Sequence, residues 1–147
     1  MCLYRHYQSR KSISLSLQID VMRANRRCSW VKAFVETQGL LALTNALTII
    51  NRKSSPGSRT GPMGDDNDID KEFSIIKCLK ALMSNSYGAD DALAHQQIVI
   101  SLINSLVSPK LITRKVVSEI LTFLSHWANG EGYQKVLEAM DIVKNQH

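Results

Sequence analysis

The sequence predicts an all-α protein, an armadillo- or HEAT-like α-solenoid of stacked helical repeats, and three observations carry that expectation. Beyond residue 28, apolar residues recur every three or four positions in one segment after another, which is the spacing of a helix with one buried face. After that point no convincing stretch alternates polar and apolar residues at the period of a strand. The segments near Gln96 and Thr113 are apolar around so much of their circumference that neighbours must cover them on two sides, as in stacked repeats of about 40 residues. A closed bundle is the alternative packing.

Residues 1–28 form a basic amino-terminal segment in which Arg5, Arg10, Lys11, Arg23, Arg26 and Arg27 face a lone acid, Asp20. The cations are scattered without aromatic interleaving, so nucleic acid is not the expected partner. The first 17 residues are Arg- and Ser-rich and free of acids, as organelle transit peptides are, but a ragged chain start is preferred. Residues 12–19, SISLSLQI, alternate at period two and are read as a frayed helix.

From Ser29, the stripe Trp30, Phe34, Leu41, Leu43, Leu47 and Ile50 predicts two short helices or one kinked helix, interrupted near Gly39. Residues 51–70, NRKSSPGSRTGPMGDDNDID, collect prolines and glycines, lack apolar periodicity and turn from basic to acidic, so a flexible loop is expected over 51–68. Asp68 or Asp70 can then cap a helix over about residues 70–85, with Phe73, Ile76, Leu79 and Met83 inward and Tyr87-Gly88 as its end. Ser108-Pro109 stops the next segment, Gln96–Val107. The fourth runs over about residues 113–127, with Val116, Val117, Ile120, Leu121, Phe123 and Leu124 inward, and Asn129-Gly130 closes it. A fifth helix is expected over residues 133–143.

The 147 residues are enough for one domain burying roughly 70% of its unfolded surface, and 44% hydrophobic with 21% charged residues is an ordinary folded composition. Three cysteines, Cys2, Cys28 and Cys78, form no C-x-x-C pair, which fits a reducing, cytosolic compartment. Cys78 is expected as a buried, inert thiol. No apolar run reaches the roughly 18 residues of a transmembrane span. Catalytic patterns are missing too. His6, His95, His126 and His147 lack metal-ligand spacing, GSRTGPMG lacks the Gly-Lys-Ser/Thr of a phosphate loop, and Asp65, Asp66, Asp68 and Asp70 lack the spacing of a calcium loop. No catalytic residue, metal or cofactor is expected.

Two stretches carry a resemblance. SWVKAFVETQGLLALTNAL, residues 29–47, is similar to the start of the armadillo region of diaphanous-related formins. IIKCLKALMSNSYGADDALAHQQIVISLINSLVSP, residues 75–109, looks like that family's Cys-Leu-Lys-Ala repeat helix, and RKVVSEILTFLSHW and YQKVLEAMD extend the likeness, most closely to filamentous-fungal members. The resemblance implies a GTPase-binding and formin homology 3 region, with residues 29–147 as the armadillo-like part and 1–28 as a partial GTPase-binding part. Its implied partners are a GTP-bound Rho-family GTPase and the formin's own C-terminal autoregulatory helix, in competition, with actin touched only through the whole protein. It implies a cytoplasmic location at the cytoskeleton, cell cortex, growth tips or division septum. Val21, Asn25 and Trp30 match its GTPase-facing positions, Trp30 being the family's structural Trp. Lys80, Ser84, Ile120, Phe123 and His126 match its groove for the autoregulatory helix, with Ser84 in place of a common Asn and Phe123 bulkier than the residue of animal members. An unrelated armadillo or HEAT scaffold that binds a peptide or helix is the alternative.

Overall fold

The structure, a computed structural model, describes residues 29–53 and 66–146, so Val21, Asn25 and the expected frayed helix at 12–19 lie outside the described residues. Seven α-helices occupy it: α1 (Ser29–Glu36), α2 (Gly39–Lys53), α3 (Asp66–Met83), α4 (Ser86–Ala94), α5 (Gln96–Asn104), α6 (Leu111–Ser125) and α7 (Glu131–Gln146). Single 3-10 turns, Ser105–Val107 and Ala128–Gly130, follow α5 and precede α7, and no strand occurs among the described residues.

The helices stack in two layers. α2, α5 and α7 pack side by side in one, α3 and α6 in the other, and contacts of α2 with α3 and of α6 with α7 close the space between them. That is the armadillo-like arrangement, with α3 and α6 opening successive repeats and α5 and α7 completing them. Leu40 and Leu47 of α2, Ile76 and Leu79 of α3, Ile98 and Leu102 of α5 and Val117 and Leu124 of α6 are fully buried between the layers. Each such side chain withdraws about 2 kcal/mol worth of apolar surface from water. The spacings of these residues, three, four or seven, give α3 and α6 one buried face each, whereas α5, with Ile98, Val99, Ser101, Leu102 and Ile103 buried, is covered around most of its circumference.

The interruption expected near Gly39 is there: the break after α1 comes at Thr37 and Gln38, Gln38 takes the left-handed conformation at φ 60°, and α1 and α2 meet at a bend of 65°. No single described helix is long and apolar enough to cross a membrane. Other boundaries differ from the expectation. Of the segment expected as a loop, 51–68, both ends are helical, since Asn51–Lys53 finishes α2 and α3 begins at Asp66, and residues 54–65 lie outside the described residues. Asp66 and Asp68 therefore sit in the first turn, where negative charge meets the positive helix end, whereas Asp70 has passed the cap and binds Lys110 across 2.7 Å.

The largest correction is α4. Tyr87-Gly88 does not end the preceding helix: α3 stops at Met83, and Asn85 caps a new helix by accepting the Tyr87 N–H at 3.0 Å. Gly88 is needed inside α4 because a Cβ there would lie 2.0 Å from the Leu82 carbonyl oxygen. Gly132 solves the same problem at the α6–α7 corner, where a Cβ would lie 1.8 Å from the Leu124 carbonyl oxygen. Both glycines allow a helix to start against the end of its predecessor. Cys78 is also corrected: with Ile76 and Leu79 inward, it falls on the outer face of α3 and is exposed.

Candidate ligand-binding groove

The outer face of α6 follows directly from its sequence. Thr113, Val117, Ile120, Leu121 and Leu124 bury one side, and the residues between them, Lys115, Glu119 and Phe123, stand four apart in a line on the other. An open depression of about 720 Å³ runs along that line, walled by Lys115, Ser118, Glu119, Thr122, Phe123 and His126. All of these residues belong to α6 or, for His126, its C-cap, and from α3 alongside Lys80 reaches over to bind the Glu119 carboxylate.

The five groove residues expected from the sequence divide by depth. Phe123 is 39% exposed, an aromatic ring standing in an otherwise polar row, and it packs against Trp127 with ring centres 5.5 Å apart. Ile120, only 2% exposed, lies beneath the face as support and does not line it. Lys80 and Ser84 are exposed on α3, and the Ser84 hydroxyl donates to the Lys80 carbonyl at 2.7 Å, so its hydrogen is committed to its own helix. His126, at the end of α6, is exposed and places Nδ1 2.7 Å from the Thr122 carbonyl; that oxygen only accepts, so Nδ1 carries the proton.

Electrostatically the groove is a weakly cationic frame. The hydrogen bond from Lys80, then its charge, and lastly the charge of Lys115 hold the Glu119 carboxyl below the usual glutamate range. Both side chains are exposed, so this pair is screened and readily exchanged. Elsewhere, burial pushes the Asp91 carboxyl up, against the opposing pull of His95, whose Nδ1 is 3.2 Å away. Among the described residues no group of three or more His, Cys, Asp or Glu could hold a metal ion.

Trp30, the described member of the GTPase-facing set, sits on α1, 61% exposed and stacked on Phe34 at 5.2 Å. It is an accessible side chain at the start of the described residues. Sequence reasoning missed Lys115 and Glu119, although their spacing of four to Phe123 places all three on one face. It also missed Asp90 of α4, which accepts the Trp127 indole N–H at 2.7 Å, because α4 itself went unseen.

A family model described as Diaphanous GTPase-binding Domain matches residues 8–126, well over half of the chain. The chain belongs to that family. It is a GTPase-binding regulatory region of the diaphanous-related formin type, and the alternative of an unrelated helical scaffold is set aside. The cytokinesis protein sepA of Emericella nidulans is 60% identical over 91% of this chain and 7% of that protein's length. Formin-F of Dictyostelium discoideum is 31% identical over 90% of the chain and 10% of its own length, and the protein BNI1 of Saccharomyces cerevisiae 30% over 76% and 6%. This Diaphanous GTPase-binding Domain therefore spans a tenth or less of these relatives. No solved structure matches it. The family is a regulatory one, typically non-catalytic.

Proposed function

We propose that this domain is a two-ligand switch. It binds a Rho-type small GTPase in its GTP form through α1 and the segment before it, and it holds the C-terminal autoregulatory helix of the same formin in the groove between α3 and α6. The ligands compete, and GTPase binding shifts the formin toward its open, actin-assembling state only by as much as it disfavours the closed one. Actin is reached through the whole protein and not by this domain. The reading places the protein in the cytoplasm, at the cell cortex, growth tips or division septum; relatives named as a cytokinesis protein and a cell fusion protein support that setting.

The observation that carries the groove is Phe123, a large apolar ring exposed in the open depression on α6 above that helix's buried row. An amphipathic helix laid along the channel would cover that ring with an apolar anchor and set its polar flanks against Lys80, Glu119 and Lys115. Val21, Asn25 and Trp30 are the proposed GTPase contacts, and the exposure of Trp30 suits such a role. The test is titration calorimetry of the domain with a fungal Rho GTPase loaded with a non-hydrolysable GTP analogue or with GDP. Micromolar or tighter binding of the GTP form, weakened at least tenfold with GDP and with Trp30→Ala, is expected. Equal binding of both forms, or none, would contradict the switch.

A further inference from the structure

The two most exposed large apolar side chains among the described residues, Val107 at 85% and Leu111 at 71%, flank a single corner of the stack, where the 3-10 turn after α5 gives way to α6. Ile112 is exposed beside Leu111, and Pro109 lies at the bend between the helices. Three branched aliphatic side chains gathered at one corner differ from the singly scattered apolar residues of an ordinary surface.

Looseness does not put them there. Ser108 is buried, donates its hydroxyl to the buried Glu72 carboxylate of α3 at 2.6 Å, and bonds the Ser105 carbonyl through its N–H at 3.2 Å. With Ser108 pinned inward, its neighbours Val107 and Pro109 stay outward, and the buried Thr113 in the first turn of α6 turns Leu111 and Ile112 out in the same way.

Cations ring the corner. Lys77 of α3 and Lys110 each hold an ammonium group 4.8 Å from the centre of the Phe73 ring. Arg114 and Lys115 follow Leu111 by three and four positions, hence beside it on the helix surface. Of the four acids in the first two turns of α3, three are answered within the fold: Asp68 by Lys53 and Lys71, Asp70 by Lys110 and Glu72 by Ser108. Lys77, Arg114 and Lys115 form no ion pair among the described residues, so the corner carries surplus positive charge.

We propose that this corner is a membrane-contact site, in which Val107, Leu111 and Ile112 enter the interfacial layer of an anionic bilayer while Lys77, Arg114 and Lys115 meet its headgroups. Aliphatic side chains standing out from a helix corner, not sunk in a pocket, suit a soft planar interface, and the unpaired cations select a negative one. The long Lys and Arg stems lie along the apolar tip and keep their charges at headgroup level. The inference goes beyond the two-ligand reading and does not rest on it: Leu111 lies about 18 Å along α6 from Phe123, at 1.5 Å per residue.

The test is co-sedimentation of the whole domain with vesicles of phosphatidylcholine, alone or with phosphatidylserine, at low and high salt. Binding to the anionic vesicles at least about tenfold tighter than to the neutral ones, and weakened by salt, is expected. Val107→Asn with Leu111→Asn removes the tip, and Lys77→Glu with Arg114→Glu reverses the collar. All four sites are exposed, so both double variants keep the fold by circular dichroism, and each weakens vesicle binding by about tenfold or more. Val107→Trp reads insertion directly, because brominated acyl chains quench its emission beyond the background that Trp30 and Trp127 give in the native chain. No binding to anionic vesicles, binding unchanged in either double variant, as when residues 1–28 carry it, or no added quenching in Val107→Trp would each overturn the proposal. Absent vesicle binding together with self-association that Val107→Asn with Leu111→Asn abolishes would overturn it in favour of a contact between two copies of this chain.

Discussion

Two seams hold the stacked helices together, and they are made of different material. Between α2 and α5 the contacts are neutral and sheltered. Thr48 Oγ1 and Ser101 Oγ are 2.7 Å apart, and the Asn51 amide donates to the Ser101 carbonyl and to Ser105 Oγ at 3.2 Å each. Between α3 and α6 the direct polar contact is an ion pair on the surface, Lys80 with Glu119; on the approach to α6 Lys110 pairs with Asp70, and one buried bond runs from Ser108 Oγ to Glu72 at 2.6 Å. A sheltered network tolerates one register only, since any slip strands a donor or acceptor away from water. Exposed pairs are worth little and re-form with whatever charge arrives. The α2–α5 seam therefore fixes the stack, and the α3–α6 seam is the one a ligand can use.

The comparison can be tested by breaking each side in turn. The largest effect is expected at the corners that bring both seams into line: Gly132→Ala or Gly88→Ala drives a methyl group into a carbonyl oxygen and should cost about 3 kcal/mol in urea unfolding. Next comes Asn51→Ala, which leaves Ser105 without its cross-helix partner and should cost about 2 kcal/mol. Lys80→Ala removes only an exposed pair and should move the same midpoint by less than about 0.5 kcal/mol. Equal losses for Asn51→Ala and Lys80→Ala would erase the distinction between the seams.

The smallest effects are in pH dependence and have opposite signs. Glu119 is depressed, so its contribution is present above its unfolded value and is lost as pH falls through the folded one. Thermal melts of Glu119→Gln should therefore lose part of the acid-side decline in Tm. Asp91 is raised by burial, so stability falls as pH rises from its unfolded to its folded value, and Asp91→Asn should remove that fall. Identical pH profiles for the native chain and both variants would contradict the assignment.

How much of this was legible in the sequence depended on which force set each feature. The buried faces of α3, α5 and α6 were readable because periodicity records what the core demands: Ile76, Leu79, Leu102, Val117 and Leu124 fall where it puts them. α4 was not, because Tyr87-Gly88 has the local chemistry of a helix end, while the close approach to Leu82 that requires a glycine there is a tertiary fact. Phe123 was drawn inward by its apolarity and outward by resemblance, and the structure places it on the outer face because Ile120 and Leu124 already fill the inner one. The Lys80–Glu119 pair joins residues 39 apart, beyond the reach of any local pattern.

The account stands or falls on the outer face of α6. Titration calorimetry of the domain with the autoregulatory helix of a fungal formin, set against the Phe123→Asp variant with its fold checked by circular dichroism, probes that face directly. Micromolar binding to the native chain, weakened more than about tenfold in the folded variant, is the predicted result. Unchanged affinity in the folded variant would show that the α3–α6 groove is not where the helix binds.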